Sequence, residues 1–260
     1  MKRRWEKMPE FDSYAPGTPS WVDLSTPNKE ISKNFYSPLF GWEVTEQGPE
    51  AGGYAMFTKS GKNVAGLTPT RTDGEPAAWT TYVTVDDADA TIEAVKKAGG
   101  DALVEPMDIL DVGRMTLFTD STGAAIAAWQ PRLHKGADLA NESGAFCWNE
   151  LQTRDIEAAK VFYRDVFGWG AEMSELDDMR YTEWKRGEAS IGGMMDMPEQ
   201  MPPEVPAFWL VYFGVDDTDA SVAQTRELGG FVFVEPMDIP AGRFAVLGDP
   251  NGAQFGIIRL

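Results

Sequence analysis

The apolar positions of this chain alternate between two periods. PSWVDLST (19–26) sets apolar and polar residues in turn, as a half-buried strand does. NKEISKNFYSPLFG (28–41) then spaces Ile31, Phe35 and Leu39 four apart, opens on an asparagine able to cap and stops at Gly41, which predicts a helix. YAMFTKSG and KNVAGLTP follow as a predicted hairpin about Ser60 and Gly61. The plan then recurs: a strand at TTYVTV, Asp86 as predicted cap of a helix ADATIEAVKKAGG, and strands RMTLFTD and AAIAAWQ joined by DSTG. Each round reads as a βαβββ module.

The same blocks return later in the chain. NFYSPLFGW at 34–42 matches VFYRDVFGW at 161–169, and WTTYVTVDDADATIEAVKKAGG matches WLVYFGVDDTDASVAQTRELGG. VEPMDI stands at 104–109 and at 234–239, where it reads as a loop before the next strand. Ordered repetition of this kind is a domain duplication. It predicts an N-terminal extension (1–16), a first domain (17–131), a polar linker (132–142) carrying the chain's one histidine, His134, and a second domain (143–260). By default His134 is a solvated or capping residue.

Composition narrows the classes of partner. With 260 residues, 43% hydrophobic and 25% charged, the chain has enough apolar material for one large core or two modest ones. A net charge of −18 repels phosphate backbones and anionic lipid, so neither nucleic acid nor membrane is expected as a partner. The basic start MKRRWEKMPE leads into no apolar run, and no 18-residue hydrophobic stretch occurs, so the expected compartment is the cytoplasm. A single cysteine, Cys147, forms no internal disulfide and has no adjacent base to activate it.

FY…FGW closing the first helix, VDDADA opening the second and D-x-x-G turning into the last strand, all present in both halves, resemble the glyoxalase/bleomycin-resistance/extradiol-dioxygenase family, or vicinal oxygen chelate superfamily. The likeness is strongest to its tandem two-domain actinobacterial members, which include proteins encoded in polyketide antibiotic clusters. It implies an α+β fold of two tandem glyoxalase-like domains, each a pair of βαβββ modules curled into an incomplete barrel. It also implies a small-molecule site on each concave face, and a monomer with an internal pseudo-dimer or at most a weak homodimer. Metal-dependent members place His or Glu on the first strand of each module and Glu on the last. Aligned on FY, those positions fall at Trp21 and Trp148, near Thr80 and Leu210, and near Ala127 and Gly256. No metal and no other cofactor is expected from such residues.

Period two puts Trp21, Asp23 and Ser25 on one face of the first strand, and Trp148, Glu150 and Gln152 on that of its repeat. A tryptophan beside an acid makes a flat apolar wall with one ionisable group at its edge, suited to an aromatic or polyketide-like metabolite. Asp23 and Glu150 are the candidate acid/base groups, Glu150 titrating higher because Leu210 makes its surroundings more apolar. Both could instead pair with Arg114 and Arg243, which begin the GR strands. Trp79, Trp209, Tyr82 and Tyr212 recur in register and are candidate cavity lining, and Gln152, Arg114 and Arg243 are further candidate ligand-binding residues. Two functions are open: a binding or sequestering protein for such a ligand, or a metal-independent lyase, isomerase or accessory hydroxylase that uses Glu150 or Asp23.

Overall fold

The computed structural model describes residues 11–176, 179–198 and 201–259. Copy one runs β1 (Pro19–Thr26), α1 (Lys29–Phe40), β2 (Glu43–Glu46), β3 (Ala55–Lys59), β4 (Lys62–Pro69), then β5 (Ala78–Thr84), α2 (Ala88–Lys97), β6 (Asp101–Ile109), β7 (Gly113–Thr119) and β8 (Ala125–Pro131). Copy two repeats it as β9 (Phe146–Thr153), α3 (Ile156–Phe167), β10 (Gly170–Leu176), β11 (Met179–Arg186), β12 (Ala189–Asp196), β13 (Phe208–Val215), α4 (Thr218–Glu227), β14 (Phe231–Ile239), β15 (Gly242–Gly248) and β16 (Gln254–Arg259).

Local chemistry sets the ends of these elements. The Asn28 side chain accepts from the Ile31 amide and opens α1, and Gly41, at φ 70°, closes it in the left-handed region where a side chain is costly. The predicted hairpin is present, with Ser60 and Gly61 both at positive φ (52° and 76°). Three expectations need correction. The cap of α2 is Asp87, not Asp86: of the two adjacent carboxylates, Asp87 is the one that reaches the Ala90 amide. The buried stripe of α1 is Ser32, Phe35, Tyr36, Leu39 and Phe40, which leaves Ile31 40% exposed at its rim. VEPMDI is not a loop; it completes β6 and β14, whose pairing with β7 and β15 shifts register around Pro106 and Pro236. Those two strands end their sheets, where a proline's missing N–H leaves no neighbour unpaired.

Each copy builds one open, mixed sheet of eight strands, in the order β2, β3, β4, β1, β5, β8, β7, β6 and its repeat β10, β11, β12, β9, β13, β16, β15, β14. The two modules of a copy join through the antiparallel pairs β1–β5 and β9–β13. Neither sheet closes into a barrel. Their convex faces meet back to back, where Thr81 Oγ1 of β5 donates to Asn149 Oδ1 of β9 at 2.8 Å. Beside that seam α1 lies against α4 and α2 against α3.

Each hydrophobic core is therefore built by both copies. One packs Phe35, Tyr36, Trp42, Phe57 and Trp79 with Phe213, Val222 and Phe255; the other packs Val83, Ile92 and Phe118 with Phe162, Tyr163, Trp184 and Trp209. Hydrogen bonds sew the halves together with the same symmetry. Trp42 Nε1 donates to the Gly144 carbonyl and Trp169 Nε1 to the Gly17 carbonyl, both at 2.7 Å, so the tryptophan of each FGW reaches into the opposite half. The tyrosine of each FY does likewise. Tyr163 Oη donates to Asp120 Oδ2 at 2.7 Å, and Tyr36 bonds Asp249, each aspartate belonging to the D-x-x-G turn of the other copy.

Candidate functional site

Trp21, Asp23 and Tyr82 converge on the concave face of the first sheet, because Trp21 of β1 lies opposite Tyr82 of β5 and Asp23 opposite Thr80. Trp21 Nε1 donates to Tyr54 Oη at 3.1 Å, Tyr54 bonds the Asp23 carboxyl, and Tyr82 Oη donates to Asp23 Oδ2 at 2.9 Å. Tyr54, just ahead of β3, reaches the acid over Gly66 of β4, where any side chain would collide with its hydroxyl. Asp23 is 6% exposed, and burial pushes its carboxyl up to about 7 against the opposing pull of the Tyr82 and Tyr54 hydroxyls and the Arg71 charge.

Copy two builds the same cluster from Trp148, Tyr181, Glu150 and Tyr212. Trp148 Nε1 donates to Tyr181 Oη at 2.7 Å, Tyr181 bonds Glu150, and Tyr212 Oη donates to Glu150 Oε1 at 3.2 Å. Gln152 adds a donor of its own, Nε2 to Glu150 Oε1 at 2.9 Å, that has no parallel at Ser25. Burial raises the Glu150 carboxyl, as its apolar surroundings led one to expect, against the opposing pull of the Tyr181, Gln152 and Tyr212 donors. In both copies burial also drives the tyrosine hydroxyls upward, so Tyr54, Tyr82, Tyr181 and Tyr212 are neutral donors to the acid.

Other expected site residues lie elsewhere. Trp79 and Trp209 sit on the convex side, buried in the two shared cores, where each indole N–H donates to a tyrosine: Trp79 to Tyr36 at 3.0 Å and Trp209 to Tyr163 at 2.8 Å. Arg114 and Arg243 do not meet Asp23 or Glu150; they clamp Asp89 and Asp108, and Asp219 and Asp238, at the surface. Surface clefts of about 280 and 290 Å³ likewise lie away from both concave faces, along the seam beside α4 and beside Arg154.

Tyr54 and Tyr181 were missed, although they repeat 127 positions apart like their tryptophans. His134 was misjudged. Its ring lies edge-on to Trp21, with centroids 4.5 Å apart, and 5.6 Å from Trp129. In copy two the corresponding wall is aromatic and aliphatic: half-buried Trp148, Phe208, Phe244, Val246 and Ile258 pack around Leu210 and Tyr212.

The metal that the resemblance brings to mind does not fit these residues. The Trp21 and Trp148 nitrogens are hydrogen-bond donors already engaged by tyrosines, Thr80 and Leu210 lie opposite the acids in register, and Ala127 and Gly256 lie opposite Tyr82 and Tyr212 with no donor atom in their side chains. Among the described residues no group of three or more His, Cys, Asp or Glu is placed to hold an ion.

Comparison with known proteins agrees with this fold. The profile of the Glyoxalase/Bleomycin resistance protein/Dioxygenase superfamily matches residues 18–128 and again 146–257. The chain is 43% identical over 259 residues to "Putative glyoxylase CFP32" of Mycobacterium tuberculosis, an alignment covering 97% of this chain and 98% of that one. It is 38% identical over 262 residues to "Anthracycline biosynthesis protein DnrV" of Streptomyces peucetius, covering 95% and 94%. Among solved structures, the Mn(II)-bound glyoxalase from Novosphingobium aromaticivorans superposes with a TM-score of 0.64 at 18% identity, over 93% of this chain and 82% of that one, a likeness of fold. The chain thus belongs to the glyoxalase/bleomycin resistance protein/dioxygenase superfamily and carries its domain twice.

Proposed function

We propose that the protein binds a planar, largely apolar aromatic metabolite on a concave sheet face, without a metal, in a sequestering or accessory role in the metabolism of such compounds. The observation that carries this reading is the replacement of the family's first metal-ligand position by a tryptophan tied through a tyrosine to a buried acid, in both copies. With indole N–H and phenol O–H groups already satisfied within the cluster, what remains for a guest is ring surface and one acid at its edge. The similarity to a relative named for anthracycline biosynthesis favours fused-ring polyketides as the class.

Chelator-treated protein should bind a hydroxyanthraquinone with quenching of tryptophan fluorescence, and Trp148→Phe should remove more of that quench than Trp21→Phe. Absence of quenching across a panel of fused-ring phenols would refute this reading.

A second reading is supported by Asp23, whose carboxyl is held near 7 and so exchanges a proton near neutrality. On it the chain is a metal-independent lyase, isomerase or accessory hydroxylase in which Glu150 or Asp23 moves a proton next to a carbonyl. Glu150→Gln and Asp23→Asn together separate the two readings: an enzyme loses turnover in at least one of them while still binding, whereas a binder changes affinity alone.

A further inference from the structure

The two concave faces are equal in fold and unequal in what lies on them. In copy one the linker between the domains turns back over the sheet. The His134 amide donates to the Val112 carbonyl, Trp129 Nε1 donates to the His134 carbonyl at 2.9 Å, and the Ala137 amide donates to the Ser20 carbonyl. Asp138 and Asn63 bond each other twice, amide to carbonyl and amide to carboxylate, and Tyr14 Oη holds the Ala137 carbonyl at 2.8 Å from outside. Gly136, at φ 116°, is required where the turn touches the strand, since a side chain there would strike the Ser20 carbonyl and the Tyr14 ring.

This path delivers the His134 imidazole to the wall formed by Trp21 and Trp129. Its Nε2 is buried with no hydrogen-bond partner, and the ring rests against the two indoles. Trp21 is consequently 3% exposed, whereas its counterpart Trp148 stays half-buried. No described residue plays the part of His134 on copy two, where Trp148, Phe244 and Ile258 stay partly exposed.

We propose that the linker is the permanent occupant of the copy-one face, its His134 imidazole standing as an intramolecular ligand against Trp21 and Trp129, so that the chain keeps one ligand site, in copy two. The recess it fills is sized for a five-membered aromatic ring and would accept a free azole if the side chain were removed. Burial holds the imidazole down to about 4 against the weaker pull of the Asp138 charge, so it is neutral and compatible with an aromatic wall at physiological pH. The copy-two half of this statement rests on the function proposed above; the copy-one half does not.

The chain has a single histidine, so its imidazole resonances can be followed in the unaltered protein without ambiguity. Set edge-to-face against two indoles, they should be displaced by ring currents from their random-coil positions, and they should stay there when a hydroxyanthraquinone is added at saturating concentration. Random-coil positions in the free protein, or a return to them as the anthraquinone binds, would overturn the proposal. Should no fused-ring compound bind, the proposed function fails while the resonances of the free protein still decide the occupancy of copy one. As a second measurement, His134→Gly should melt lower than the parent, and free imidazole at about pH 8, where it is neutral, should raise the melting temperature of the variant but not of the parent. An equal response of both proteins, or none in a folded variant, also overturns it.

Discussion

Asp23 shows how a single buried acid can be tuned by its neighbours and then limit stability. Its folded carboxyl stays protonated to about pH 7, whereas an unfolded aspartate ionises from about pH 4 upward. Between those values the unfolded chain binds fewer protons than the folded one, so stability falls as pH rises and levels off above the folded value. The full penalty is on the order of 4 kcal/mol for a shift of about three pH units. Asp23→Asn removes the ionisation and keeps an acceptor for Tyr82. Its melting temperature relative to the parent should therefore climb as pH goes from about 4 to about 8; a difference independent of pH would mean that Asp23 is ionised in the fold. Period two made Trp21, Asp23, Trp148 and Glu150 legible in the sequence. The same rule, applied strictly, separates Trp79 from Tyr82, because residues three apart in a strand face opposite ways, and the core claimed the tryptophan. Arg114 and Arg243 were not legible in this way: which acid meets a residue near the start of a strand depends on register with its neighbours, and here the partners came from the preceding strand and from the helix.

Among the elements, α1 and α3 do more than cover a sheet. Each carries a tyrosine that accepts an indole N–H from its own copy and bonds an aspartate turn of the other. Tyr163→Phe leaves the Trp209 N–H and one oxygen of Asp120 without that partner inside a core, which costs about 1–3 kcal/mol for each buried group left unsatisfied. The variant should fold and unfold at distinctly lower urea, and Tyr36→Phe should do the same on the opposite side; a midpoint unchanged in both would show that the clasp contributes nothing. Helix limits were readable from caps and glycines, whereas VEPMDI misled because proline suggests a loop and an edge strand tolerates it.

For the whole molecule, duplication was plain in the repeated blocks, but the way the copies interlock was not. Hydrophobic periodicity says which face of α1 is buried and is silent on whether its own copy or the other buries it. Because each core takes side chains from both copies, the halves have no independent core to retain. Urea unfolding followed by tryptophan fluorescence and by far-ultraviolet circular dichroism should give one coincident transition. Two separated transitions would show that the copies fold as autonomous domains. Among the described residues no helix is long and apolar enough to cross a membrane. The most direct test is calorimetric titration of chelator-treated protein with a hydroxyanthraquinone. The expected result is about one equivalent per chain, unchanged by added zinc or manganese and lost when Trp148 is replaced by alanine; binding that appears only when a divalent metal is restored would contradict the account.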